Sequence, residues 1–125
     1  MDFIDQLKQL GEKVLKMKEH ISTEEATKTA FVMPFIQNLG YDIFDPREVV
    51  PEFVADIGAK KGEKVDYAIF KDSQPIILIE CKHWAENLLD HNEQLFRYFA
   101  MTKAKFGVLT NGINYMIFTD LVEPN

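Results

Sequence analysis

The spacing of apolar positions changes along the chain, and each change marks an element. Over residues 2–20 the apolar side chains are Phe3, Ile4, Leu7, Leu10, Val14, Leu15 and Met17, mostly three or four apart, which predicts an amphipathic helix. Gly11 weakens that helix by up to about 1 kcal/mol relative to alanine. Ser22-Thr23-Glu24-Glu25 has the capping-box pattern, with Ser22 three residues before Glu25, and Phe31, Val32, Phe35, Ile36 and Leu39 form a stripe behind it. A helix over about 23–39 is therefore expected, kinked or broken at Pro34 and stopped by Gly40. From Tyr41 the period shortens. Val49–Ile57 reads as a strand, and Pro51 within it points to a sheet edge. Lys60-Lys61-Gly62-Glu63-Lys64 reads as a polar turn, and Val65–Phe70 as the next strand. Lys71-Asp72-Ser73-Gln74 is a tight connection, and Pro75 stands at the start of the run Ile76–Lys82. That run is continuously apolar before it ends in charge, which implies burial on both faces and a central place in the sheet.

Helical spacing returns over about 88–103, at Leu88, Leu89, Leu95, Phe96, Phe99 and Met101, with Phe96, Phe99 and Met101 expected in the core. Phe106–Thr110 and Tyr115–Thr119 are two further strands around the turn signal Asn111-Gly112. After the leading helix the order is α-βββ-α-ββ. The fold class is α/β, a mixed sheet flanked by helices. Residues 1–21 are expected to be a helical appendage and residues 22–125 one domain. Neither an internal repeat nor a low-complexity segment interrupts them.

The totals narrow the class. A chain of 125 residues with 46% hydrophobic and 27% charged residues can build one core and is not a disordered chain. Fourteen Lys and Arg against twenty Asp and Glu give a net charge of −6, which argues against bulk electrostatic binding to nucleic acid or to an anionic membrane. A local basic patch stays open. The single cysteine, Cys81, excludes an internal disulfide and a cysteine-rich zinc site. No stretch approaches the roughly 18 apolar residues of a membrane span, and the N-terminus lacks a signal-peptide pattern. A cytoplasmic protein is expected.

The oddity is Glu80. A carboxylate closing an Ile/Leu run in a central strand is unfavourable unless it is paired or bound to a cation. Lys82 shares its face and Cys81 takes the other. Asp66 lies on the preceding strand, and a short antiparallel connection would set it beside Glu80. Oxygen donors of this kind suit Mg²⁺ or Mn²⁺, and a neighbouring lysine can orient a water or steady a phosphate charge. The ordinary alternative is an ion pair of Lys82 with Glu80 or Asp66 at a strand end.

Asp66, then Glu80-Cys81-Lys82 at the end of an apolar strand, then Gln94 and Tyr98 as Q-x-x-x-Y, resembles the PD-(D/E)xK nuclease superfamily. More narrowly, the chain resembles the N-terminal nuclease domain of type I restriction enzyme R subunits. Thr23–Lys28, Phe35 to Asp42, Val49–Phe53 and Gly107–Gly112 carry that narrower likeness, which spans about residues 22–125. Val65 replaces the proline of the superfamily pattern. The resemblance implies a restriction-endonuclease-like core and a Mg²⁺-dependent DNA endonuclease, with Mn²⁺ as a substitute. It implies Asp66 and Glu80 as metal ligands, the Cys81 carbonyl as a third, and Lys82 as the residue that positions or activates water. Glu24 would complete the metal site, with Glu25 as the alternative, and Gln94 and Tyr98 would contact DNA or support the ligands. The implied partners are DNA and the motor, specificity or modification subunits of a restriction complex, or a second copy of the chain. The alternative function is a catalytically inactive module of the same fold that binds DNA or a partner subunit.

Other residues invite chemistry less. Lys60, Lys61 and Lys64 are most simply a solvated turn, and Trp84 a partly buried structural side chain rather than a base-stacking platform. His20, His83 and His91 lack metal-ligand spacing, and Asp56 lacks a partner at useful spacing.

Overall fold

The computed structural model describes residues 2–54 and 64–120. The expected strand residues beyond Val54, the turn lysines Lys60 and Lys61, and Asp56 lie outside them. Five strands form one sheet in the order β1-β2-β3-β4-β5: β1 (Val49–Phe53), β2 (Val65–Lys71), β3 (Gln74–Cys81), β4 (Phe106–Thr110) and β5 (Tyr115–Thr119). Only β3 and β4 pair in parallel; the other neighbours are antiparallel, so the sheet is mixed as expected. The continuous apolar run of β3 holds the central position and Pro51 lies on an edge strand. Asp72 and Ser73 both adopt positive φ, 51° and 63°, as a two-residue turn of the I′ kind requires.

Helices cover both faces. α1 (Phe3–Met17) precedes a helical run made of α2 (Glu24–Thr27), a π-turn (Lys28–Val32) and α3 (Met33–Asn38). α4 (Glu93–Met101) belongs to the crossover between β3 and β4. Val32 and Ile36 pack with Val49, Tyr67, Ile79 and Cys81 on one face of the sheet. Leu88, Leu95 and Tyr98 pack with Val65, Ala68, Leu78 and Leu109 on the other. A third cluster joins Val14 of α1 to Ile21 and Phe31.

Three local details differ from the sequence reading. Thr23, not Ser22, caps the second helix: its hydroxyl accepts the Ala26 amide at 3.0 Å. Pro34 neither ends nor sharply breaks the run. It has no N–H for the Ala30 carbonyl, and the backbone ladder widens so that Met33 N–H reaches the Lys28 carbonyl. The freed Ala30 carbonyl accepts Lys13 Nζ of α1 at 3.0 Å. On α4 the core face is Leu95 and Tyr98, while Phe96 and Met101 are exposed. Phe96 lies one helical step round from Leu95 and reaches only the edge of Phe118, with ring centroids 5.6 Å apart.

The β4–β5 turn is fixed by Thr110-Asn111-Gly112. The Asn111 side-chain oxygen accepts the amides of Ile113 and Asn114 at 2.9 and 2.8 Å, and Thr110 Oγ1 accepts the Gly112 amide at 2.9 Å. Gly112 has φ 85°, and a Cβ there would stand 2.8 Å from Phe31 Cδ2. Gly112→Ala is therefore expected to lower stability by about 2 kcal/mol or more. Urea denaturation checks this; an unchanged midpoint would show that the turn and Phe31 yield freely.

Candidate active site

The chain of β2 enters the sheet antiparallel to the chain of β3, so the start of β2 and the end of β3 meet at one end of the sheet. Their backbone pairing stops at Tyr67↔Ile79. Beyond it the alternation of β2 also breaks: Val65 packs in the α4 layer while Tyr67 and Ile69 pack in the α3 layer. In the notch so formed, Asp66 Oδ2 accepts the Cys81 amide at 2.7 Å. A side chain thus takes a ladder bond that backbone pairing does not make there. β3 stays attached on its other side, where Lys82 N–H donates to the Thr110 carbonyl at 2.9 Å. Glu80 is 8% exposed, and its carboxyl is hydrogen-bonded to that of Asp66. The structure thus brings Asp66 and Glu80 together as the spacing suggested.

A buried carboxyl and a half-buried one in contact cannot both ionise at low cost. Burial first, then the hydrogen bond to Asp66 and the Asp66 charge, push Glu80 up to about 9. For Asp66 burial acts upward, but the hydrogen bonds from Glu80 and the Cys81 amide, together with Lys28, outweigh it and hold the group below its usual range. The two groups shift in opposite directions, so a proton retained by the pair is held more readily by Glu80 than by Asp66. Lys82 lies on the Glu80 face, and its charge works against the upward shifts of both Glu80 and Glu24. Glu24 itself is raised, first by desolvation and then by Asp66 and Glu86. Cys81 faces the α3 layer, and burial keeps its thiol protonated. Its carbonyl, not its sulfur, is the atom on offer to an ion.

Lys28 is the residue that spacing alone did not single out. Its Nζ lies 3.3 Å from Asp66 Oδ1 and 2.9 Å from Glu25 Oε2. Burial opposes its charge, but the bond to Glu25 and the Asp66 charge prevail and raise it further above the ordinary lysine range. The signal was present in the Thr27-Lys28 pair of the resemblance. What hid it is that its contact with Asp66 crosses from a helix to a strand.

Of the two Q-x-x-x-Y residues, Gln94 donates from Nε2 to the Lys64 carbonyl at 2.8 Å, beside the start of β2. Tyr98 is buried in the α4 layer. Trp84 is half-buried and donates to the Ile21 carbonyl at 2.9 Å, with Lys18 Nζ 5.5 Å from its ring. His83 Nδ1 accepts the Ala85 amide, which puts the proton on Nε2 and lets it donate to the same Ile21 carbonyl at 3.1 Å. Lys64 pairs with Glu52 at 2.8 Å.

The donors that Asp66 and Glu80 offer at the notch are carboxyl oxygens, with the Lys28 ammonium and the Cys81 amide beside them. A hard divalent cation fits that donor set. No group of three or more His, Cys, Asp and Glu side chains converges on a metal position among the described residues.

The molecule is thus an α/β domain with a buried carboxyl pair and flanking lysines at one end of a mixed sheet. It belongs to the family of type I restriction enzyme R protein N termini: residues 23–124 match that family. A search of curated proteins and of solved structures finds no match. Membership sets the context of a restriction complex. Among the described residues no helix is long and apolar enough to cross a membrane.

The carboxyl pair sets a stability signature. Glu80 is raised above its ordinary value of 4.5 to about 9, so its burden is absent at acid pH and grows as pH rises through that window. Asp66 is lowered, so its contribution is present at neutral pH and is lost only as pH falls below the usual aspartate range. Without added metal at pH 8, Glu80→Gln is expected to raise stability by on the order of 1 kcal/mol, and Asp66→Asn to lower it. Chemical denaturation between pH 5 and 8 checks both. Equal pH slopes for the parent and Glu80→Gln would contradict the shared-proton arrangement.

Proposed function

We propose that this domain is a Mg²⁺-dependent endodeoxyribonuclease of the PD-(D/E)xK kind, hydrolysing DNA phosphodiester bonds, and that Mn²⁺ substitutes for Mg²⁺. The observation that carries the reading is the buried Glu80 carboxyl against the half-buried Asp66, with Lys82 on the same face, in a chain of a restriction enzyme family. Asp66 and Glu80 would hold the ion, with the Cys81 carbonyl as a third donor. Glu24 is a better further ligand than Glu25, because Glu25 is bonded to Lys28 whereas Glu24 feels Asp66 and Lys82. When bound, the ion supplies Lewis acidity to the phosphodiester and lowers the pKa of a coordinated water.

The remaining work falls to the chain itself. Glu80 must lose its shared proton before it can act as a ligand, and Lys82 on its face favours that loss. Lys82 then orients the attacking water and offsets negative charge building on the phosphate. Gln94 ties α4 to the Lys64 carbonyl and so steadies the strand start that carries Asp66. Tyr98 supports that strand from the core, packing in one cluster with Val65. We place the domain in the cytoplasm beside motor, specificity and modification subunits. A net charge of −6 leaves the isolated domain a weak ligand for DNA without metal or partner.

Incubation with supercoiled plasmid and Mg²⁺ or Mn²⁺, alone and with partner subunits, tests the reading. Asp66→Ala and Lys82→Ala are expected to lower cleavage by at least about 100-fold, and Gln94→Ala by less. Cleavage undiminished in both of the first two variants would remove the assignment. DNA binding by the domain alone is expected to be weak without metal; tight metal-free binding at physiological salt would argue instead for a binding module.

A further inference from the structure

Lys28 stands against one of the two oxygens through which a metal ion would reach Asp66. Asp66 has two carboxylate oxygens: Oδ2 takes the Cys81 amide at 2.7 Å, and Oδ1 faces Lys28 Nζ at 3.3 Å. Oδ1 takes no backbone amide and is the more open of the two oxygens to a cation, and Lys28 stands against it. The Lys28 side chain is only 13% exposed, and the Tyr67 ring lies 5.8 Å from its ammonium. It has a second anion on its outer side. Glu25, 74% exposed on its side chain, binds it at the shorter distance of 2.9 Å. Lys28 also opens the π-turn, the point at which the helix ladder widens.

We propose that Lys28 is a built-in counter-ion that occupies the cation position at Asp66, competes with the divalent ion, and withdraws to Glu25 when that ion binds. This rests on the reading of Asp66 and Glu80 as metal ligands. The physical case is one of charge. Without an ion, the buried Asp66 carboxylate needs a positive neighbour, and Lys28 supplies it. With an ion, Lys28 becomes a like charge a few ångströms away and repels it. Glu25 allows the ammonium to move off without losing its partner. The device raises the metal concentration at which the site fills, while keeping the metal-free fold intact.

The test is Mn²⁺ titration of the full chain by calorimetry and by electron paramagnetic resonance, without DNA. Lys28→Met is expected to bind Mn²⁺ about tenfold more tightly than the parent, and Lys28→Arg to stay near the parent. Lys28→Met should also unfold at lower temperature than the parent without metal and gain more from Mn²⁺. Glu25→Gln, an exposed change that leaves folding intact, is expected to weaken Mn²⁺ binding in the parent, because Lys28 is left with Asp66 alone. In the Lys28→Met background Glu25→Gln should have no effect. Lys28→Met binding no tighter than the parent, or Glu25→Gln acting equally in both backgrounds, overturns the proposal and leaves the metal reading standing. Should neither the parent nor Lys28→Met bind Mn²⁺ or Mg²⁺, the metal reading itself fails and this inference fails with it.

Discussion

A buried carboxyl set beside a half-buried one is the constraint around which this end of the molecule is built. Neither can be left bare, because an unpaired buried charge is far less favourable than a paired one. The chain resolves the conflict with a shared proton on Glu80, a backbone amide from Cys81 and an ammonium from Lys28, the last two both on Asp66. Each device makes a demand on the fold. The amide is available because β2 and β3 stop pairing at Tyr67↔Ile79, and the ammonium because the helical run passes over the sheet end. Opening the sheet there gives up backbone pairing that two extended strands would otherwise complete.

The surroundings make up for that loss with links between segments distant in sequence. Trp84 and His83, just past the site strand, both donate to the Ile21 carbonyl before the second helix. Thr27 is fully buried; its hydroxyl donates to the Thr23 carbonyl and accepts the Trp84 amide at 3.3 Å. The Asn111 side-chain amide donates to the Glu86 carbonyl at 2.8 Å, tying the β4–β5 turn to the same segment. Gln94 closes the opposite side at Lys64. The segment leaving β3 is therefore held from the helical run and from the far hairpin at once, which is what fixed positions for Glu80 and Lys82 require.

Most of the architecture was legible in the sequence because each strand and helix announces its period. The unbroken apolar run of Ile76–Ile79 located the central strand, and Pro51 located an edge. Glu80 was legible as an anomaly, since a carboxylate in such a run calls for a partner, and one antiparallel connection supplied Asp66. What escaped was whatever depends on contacts across elements. Lys28 is unremarkable on a helix surface until Asp66 is placed beneath it. The Ala30 carbonyl that Pro34 leaves without an N–H finds Lys13, which arrives from α1. The buried face of α4 could not be chosen from spacing, because Phe96 and Phe99 are as apolar as Leu95. Thr23 and Ser22 are equally good caps by composition, and only the helix start decides between them.

The global acidity and the local site now bear on each other. Around the notch, Glu24, Glu25 and Asp66 face Lys28 and Lys82, while Glu80 is neutral. The acids are in slight excess, so the metal-free notch repels a phosphate rather than attracting it, in keeping with the net charge of −6 over the chain. A divalent ion at Asp66 would cancel that excess, and no more than cancel it, as Glu80 gave up its proton. Nothing in the composition needs to be basic for such a site to receive DNA. On the proposed reading the charges set an order: an ion first, cancelling the local excess of acid, and the polyanion after it. On that reading an acidic domain is consistent with a nucleic-acid substrate, because affinity would then depend on the ion rather than on the net charge of the surface.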